Sequence, residues 1–245
     1  MQPHALLLRA AGEGEASLQL QASLRPELQV AYSPLNHLMV LASGTWRPSI
    51  SWPNAEESDN FRTAQYEVGA GTYWPLGPRW LASATLGTGA AQGQRTVTEF
   101  GILLAFSNDY AARYRKNFGQ LGLSYQNEHA AVGLTYRLTQ VSFQSLTATS
   151  RVAPNTVYAL PLEGQLRHEP YLFARYALDG PLAQSRWQAH LGVGLSFCLP
   201  GRNRSGTDPF DPAIFRAGFN RGGMLLLNAG VVYCLKRRVA VRGTR

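Results

Sequence analysis

Nowhere in this chain of 245 residues do about twenty apolar residues follow one another, which excludes a membrane-spanning helix. Charge is scarce too: Asp, Glu, Lys and Arg supply 16% of the residues, against about a quarter in ordinary soluble domains. Two cysteines are too few for a disulfide framework. Also missing are a Gly-x-Ser-x-Gly elbow, a His-x-Ser pairing and a His-Glu-x-x-His zinc motif. No catalytic residue, metal ligand or cofactor is therefore assigned. Gly69-Ala70-Gly71 and Gly87-Thr88-Gly89 lie inside strand-like segments and read as packing glycines, so a phosphate loop is not inferred from them.

What the chain does contain is alternation. From Trp187 to Phe197, residues Trp187, Ala189, Leu191, Val193, Leu195 and Phe197 share one face, and Gln188, His190, Gly192, Gly194 and Ser196 share the other. Period two with an unbroken apolar face means a strand. Segments of this kind fall near Glu15 to Ala22, Glu27 to Ser33, His37 to Trp46, Thr63 to Trp74 and Arg79 to Ala91. Five more follow near Arg113 to Gln126, His129 to Gln144, Leu166 to Leu178, Arg186 to Leu199 and Gly223 to Leu235.

The connections sort by length. Ser33-Pro34-Leu35-Asn36, Pro75-Leu76-Gly77-Pro78, Asn127-Glu128 and Asp179-Gly180-Pro181-Leu182 are tight turns. Arg47 to Arg62, Gln92 to Ala112, Thr147 to Gln165 and Pro200 to Gly222 are long and polar, and they alternate with the short turns. The pattern predicts an all-β fold, an antiparallel up-and-down transmembrane β-barrel of about ten strands, with periplasmic termini and extracellular long loops. Eight or twelve strands are the alternatives, since Thr96 to Phe106 either extends a neighbouring strand or forms its own hairpin. One domain spans residues 1–245, with a lead over 1–13 and a basic tail over 236–245. Export needs a signal, and the short apolar run Ala5 to Leu8 has no basic segment ahead of it, so the signal is expected to lie outside this sequence.

Three stretches carry a resemblance. Gln29-Val30-Ala31-Tyr32-Ser33-Pro34-Leu35-Asn36-His37-Leu38, Tyr114-Arg115-Lys116-Asn117-Phe118-Gly119-Gln120-Leu121-Gly122 and Leu227-Asn228-Ala229-Gly230-Val231 are similar to motifs of an uncharacterised family of Bacteroidota outer-membrane β-barrels. In that family the mature N-terminus is often a lipidated cysteine shortly before a proline-containing lead and a Gly-Glu step. Pro3 and Gly14-Glu15 sit where that pattern falls, so the resemblance implies a lipoprotein. The chain departs from the family at Gly119, where members more often carry a bulky apolar residue.

Cys198 and Cys234 fall at opposite ends of neighbouring strands, about a membrane thickness apart, so two free thiols are expected. The formal charge of +8 does not point to nucleic acid, because the basic residues do not interleave with aromatics on one strand face. Lys236, Arg237 and Arg238, with Arg242 and Arg245, form a tail suited to anionic lipid or a partner. Arg202 and Arg204 in an outer loop suit lipopolysaccharide. Assigning faces strand by strand directs Glu67, Arg79, Arg137, Arg175, Gln188, His190 and Asn228 into the lumen. Glu67, Arg137 and Asn228 fall at similar depth, and an ion pair between Glu67 and Arg137 is expected, because a lone charge away from water is costly. His37 and His129 flank short turns, and His168 alternates to the lipid face beside Glu169. The function expected is a non-enzymatic outer-membrane component, structural or an accessory subunit meeting other outer-membrane proteins. The alternatives are a lipid-modifying enzyme and a narrow pore or small-ligand carrier.

Overall fold

Strands that are apolar on one face and polar on the other are satisfied when they close into a ring with lipid outside and polar groups inside. The computed structural model describes residues 2–22, 24–47, 57–100, 105–150, 156–159, 164–198 and 224–235. Its strands are β1 (Gly14–Gln21), β2 (Arg25–Leu35), β3 (Leu38–Arg47), β4 (Glu57–Leu76), β5 (Trp80–Phe100), β6 (Ala105–Gln126), β7 (Ala130–Ser150), β8 (Thr156–Ala159), β9 (Gln165–Ala177), β10 (Trp187–Cys198) and β11 (Met224–Leu235). Each ring strand pairs antiparallel with its neighbours, β1 meets β11, and β6 meets β7. The result is a closed barrel of ten strands, with the four-residue β8 paired only to the upper part of β7. No helix occurs among the described residues.

The wall is uneven in height. Strands β4 to β7 run for 20 to 22 residues, whereas β9 to β11 run for 12 or 13. At roughly 3.3 Å per residue and a tilt of about 40°, the tall strands rise about 50 Å or more, twice an apolar belt of about 25 Å. Residues 57–62, 92–100 and 105–112, expected as loop, are strand. The reason is physical: ladder hydrogen bonds continue through Glu57-Ser58-Asp59-Asn60, but a segment polar on both faces shows no alternation to read.

Across the belt the two faces separate cleanly. On β10, Leu191 is 61% exposed while its neighbour His190 is 1% exposed. Aromatic pairs mark the short-turn end, with Trp80 against Tyr125 at 5.2 Å between ring centroids and Trp187 against Tyr233 at 4.9 Å, as expected of an interfacial girdle. Cys198 and Cys234 are not joined in a disulfide.

The lumen is not empty. Residues 2–9 lie inside it as an extended segment, with Gln2, Pro3, His4, Ala5, Leu6 and Leu8 buried. The segment descends to the short-turn end, reverses, and enters β1. Gly12, at φ 81°, makes that reversal and donates its N–H to the Ser33 carbonyl at 2.7 Å. Glu13 accepts the N–H groups of Arg9 and Ala10 at 2.7 and 3.2 Å. Arg9 then anchors on the rim through Gln126 Oε1 and the Pro78 carbonyl.

Candidate functional site

The chemistry of this barrel is concentrated in its lumen, where ring closure gathers side chains from distant strands. Glu67 on β4, Gly89 on β5 and Lys116 on β6 are register partners. Gly89 has no side chain, so Glu67 and Lys116 meet across it, Nζ to Oε1 at 2.5 Å. A Cβ at Gly89 would crowd the Glu67 side chain. Arg137 on β7 brings Nη2 to the same Oε1 at 2.5 Å, and His4 of the inserted segment lies 3.4 Å from Oε2. One fully buried carboxylate thus faces a lysine, an arginine and a histidine. Arg137 also lies 3.4 Å from Glu169 and 3.9 Å above the Phe118 ring centroid. Glu169 is completed by the hydroxyls of Thr139 and Ser196.

A second ion pair lies nearer the short-turn end. Arg175 donates through Nη1 and Nη2 to both oxygens of Glu15 at 2.9 Å. This is the fork-to-fork geometry that makes Arg–carboxylate pairs strong and directional. Above it, a chain of neutral polar groups spans β9 to β11 and β1. Tyr171 donates its hydroxyl proton to Asn228 Oδ1 at 2.8 Å, so His190 Nε2, 3.0 Å from the same hydroxyl, must be the donor there. Asn228 donates onward to Gln19 and Gln19 to Ser17. The relay runs in one direction from His190 to Ser17.

Among the residues assigned inward from the sequence, Glu67, Arg137, Arg175, Gln188, His190 and Asn228 are buried in the lumen. Glu67 and Arg137 are in contact, whereas Asn228 belongs to the Tyr171 relay and not to their cluster. Arg79 is a correction. It lies exposed in the turn before β5 and donates to the Tyr125 hydroxyl at 3.1 Å. Alternation holds only within a strand, and β5 begins at Trp80. His168 stacks on Phe197 and meets the Tyr136 hydroxyl at 2.6 Å, while Glu169 turns inward. Lys236, Arg237, Arg238, Arg202 and Arg204 lie outside the described residues.

Sequence reasoning missed Glu15, Glu27, Lys116, Gln120, Glu169 and Tyr171, all buried in the lumen. The same period-two count applied to β1, β2, β6 and β9 would have found them.

These observations define a class: a transmembrane β-barrel whose lumen holds buried ion pairs and a segment of its own chain. No protein-family profile matches the chain, and no curated protein sequence matches it. Two solved structures are similar in fold. The outer membrane protease OmpT from Escherichia coli matches with a TM-score of 0.59 and 10% identity, over 92% of this chain and 94% of that one. The translocator domain of the autotransporter NalP from Neisseria meningitidis matches with a TM-score of 0.52 and 8% identity, over 90% and 86%. The fold is that of outer-membrane β-barrels.

Proposed function

We propose that this chain is a non-enzymatic component of the outer membrane, an accessory barrel that meets other envelope proteins. The observation that supports this reading is the occupied lumen. Residues 2–9 and the Glu67 and Glu15 ion pairs lie where a solute path would run. In this reading the short turns are periplasmic, the long connections face outward, and the residues 236–245 meet anionic lipid or a partner. The motifs shared with Bacteroidota barrels support an origin there. A lipidated cysteine shortly before Pro3 would emerge at the long-loop mouth, since the inserted segment descends from it.

The test is purification from membranes in mild detergent, with identification of co-eluting proteins and conductance in planar bilayers. A heat-modifiable band with a stoichiometric partner and no steady conductance is the expected result. Steady open-channel conductance by the folded protein would overturn it in favour of a pore. A second reading, an enzyme working at the long-loop end, takes its support from one fold neighbour being a protease. It is tested by peptide and phospholipid hydrolysis with the folded protein against its heat-unfolded form. The His168 and Glu169 side chains do not supply its centre, since they face opposite sides of the wall.

A further inference from the structure

The lumen grips the inserted segment by its main chain. Gln120 accepts the His4 N–H at 2.8 Å and donates to the His4 carbonyl at 2.7 Å, as a neighbouring strand would. Arg137 reaches the Gln2 carbonyl at 3.3 Å, and Arg175 reaches that of Ala5. Carboxylates take the N–H groups: Glu27 that of Gln2 at 3.4 Å and Glu15 that of Leu7 at 3.5 Å. Every one of these contacts uses atoms that nearly any residue would present.

The side chains of the segment meet apolar wall on more than one side. Leu6 and Leu8 pack with Met39, Leu41, Tyr73 and Phe118 on one wall. Ala5 packs with Tyr171 and Phe173 on the other, and Leu7 packs against both groups and against Ala131, Ala177 and Leu182. Main-chain hydrogen bonds for affinity and alternate pockets for specificity are how proteins bind peptides in extended form. Among the described residues, no backbone-to-backbone hydrogen bond joins residues 2–9 to the wall. The segment is held as a ligand is held, by wall side chains, and tethered through the turn at 10–13.

We propose that the lumen is a receptor for an extended apolar peptide, occupied here in cis by residues 2–9, and that a segment of like pattern from a partner protein takes its place when this one withdraws. The proposal rests on the reading of the barrel as an accessory component and names what its partner would contribute. The tether sets the balance. A short linked segment acts at an effective concentration in the millimolar range, so a free peptide competes poorly until the link is relaxed.

The test uses the full chain folded in detergent, with a protease site inserted between Ala11 and Gly12 and cut after folding. The probe is a fluorescent nonapeptide of residues 2–10, Gln-Pro-His-Ala-Leu-Leu-Leu-Arg-Ala. It is compared with a peptide of other sequence that keeps apolar residues at the positions of Ala5 to Leu8, and with the nonapeptide N-methylated at its histidine. Expected are uptake of the first two by the cut barrel, and uptake at least tenfold lower by the uncut one. The N-methylated peptide loses the hydrogen bond to Gln120 and binds on the order of tenfold more weakly. Gln120→Leu in the cut barrel imposes the same loss on the plain peptide, and N-methylation then adds nothing. If Gln120→Leu fails to fold, the peptide series on the unaltered wall decides alone. No uptake by a cut barrel that still shows its heat shift, or equal uptake of the N-methylated peptide, overturns the proposal. Either result leaves the accessory reading standing, because co-elution and conductance test that separately.

Discussion

On the side of β4 to β7 the lumen carries a buried ionic cluster: Glu67 alone faces Lys116, Arg137 and His4. On the side of β9 to β1 runs a neutral chain, a relay from His190 through Tyr171, Asn228 and Gln19 to Ser17. The ionic half takes part in holding the inserted segment, since Arg137 also donates to the Gln2 carbonyl. The relay lies within the wall, and its member Tyr171 packs on Ala5 of the segment. The difference teaches that one lumen can divide its polar groups into those that hold a plug and those that stiffen a wall. A buried charge without its partner costs more than a lost neutral hydrogen bond, so the two halves should respond unequally to single substitutions.

The largest effect is expected for Glu67→Gln. It leaves Lys116 and Arg137 facing each other around a neutral amide and should destabilise the barrel by about 3–5 kcal/mol, read as a lower temperature for the heat-induced gel shift. A loss no greater than that of Tyr171→Phe would break the comparison. Gly192→Ala comes next. A Cβ there runs into the Tyr171 hydroxyl and Asn228 Oδ1, and overpacking of this kind costs about 1–3 kcal/mol. The same thermal assay checks it, and an unchanged midpoint would show that the neutral half yields where it is taken to be stiff. Tyr171→Phe keeps the ring and removes the hydroxyl shared by His190 and Asn228, for about 1–2 kcal/mol. Combining it with Gly192→Ala should cost less than the sum, because both act on one hydroxyl.

The smallest effect lies outside the membrane-spanning strands. Asp179, in the exposed turn after β9, accepts the Ser185 hydroxyl and the N–H groups of Arg186 and Trp187 at 3.0 and 3.2 Å. The Ser185 hydrogen bond first, and these N–H groups with it, hold its carboxyl below the ordinary value of 3.8. A depressed carboxylate stabilises the fold above its unfolded pKa, and that contribution is lost as pH falls through the folded value. Asp179→Asn should therefore lower thermal stability slightly at neutral pH and flatten its decline below about pH 4, followed by the gel shift across an acid series. An identical acid limb in both proteins would remove the turn from the account.

Much of this was legible in the chain. Trp187 to Phe197 announces its two faces residue by residue, and His190 and Gln188 go inward where the count puts them. The count also carries Glu15 inward with Ser17, Gln19 and Gln21, and Lys116 with Phe118 and Gln120. It fails at Arg79, because a turn has no period, and above the belt in β4 to β6, because polar-on-both-faces strands have none to show. The lead was opaque for another reason. Ala5 to Leu8 is a short apolar run without periodic context, and only the closed wall supplies the surfaces that bury it.

By itself the sequence determined an antiparallel barrel of about ten strands and, across the belt, which face of each strand meets lipid, since period two is a local property of consecutive residues; that the ring closes on ten and not eight or twelve is seen in the structure. Only the tertiary structure decided which lumen groups pair. Ring closure brings together Glu67 and Arg137, 70 residues apart, and Glu15 and Arg175, 160 apart. It alone decided the place of residues 2–9 as well, because the backbone N–H and carbonyl groups by which the lumen holds them are common to nearly every residue and leave no mark in a sequence.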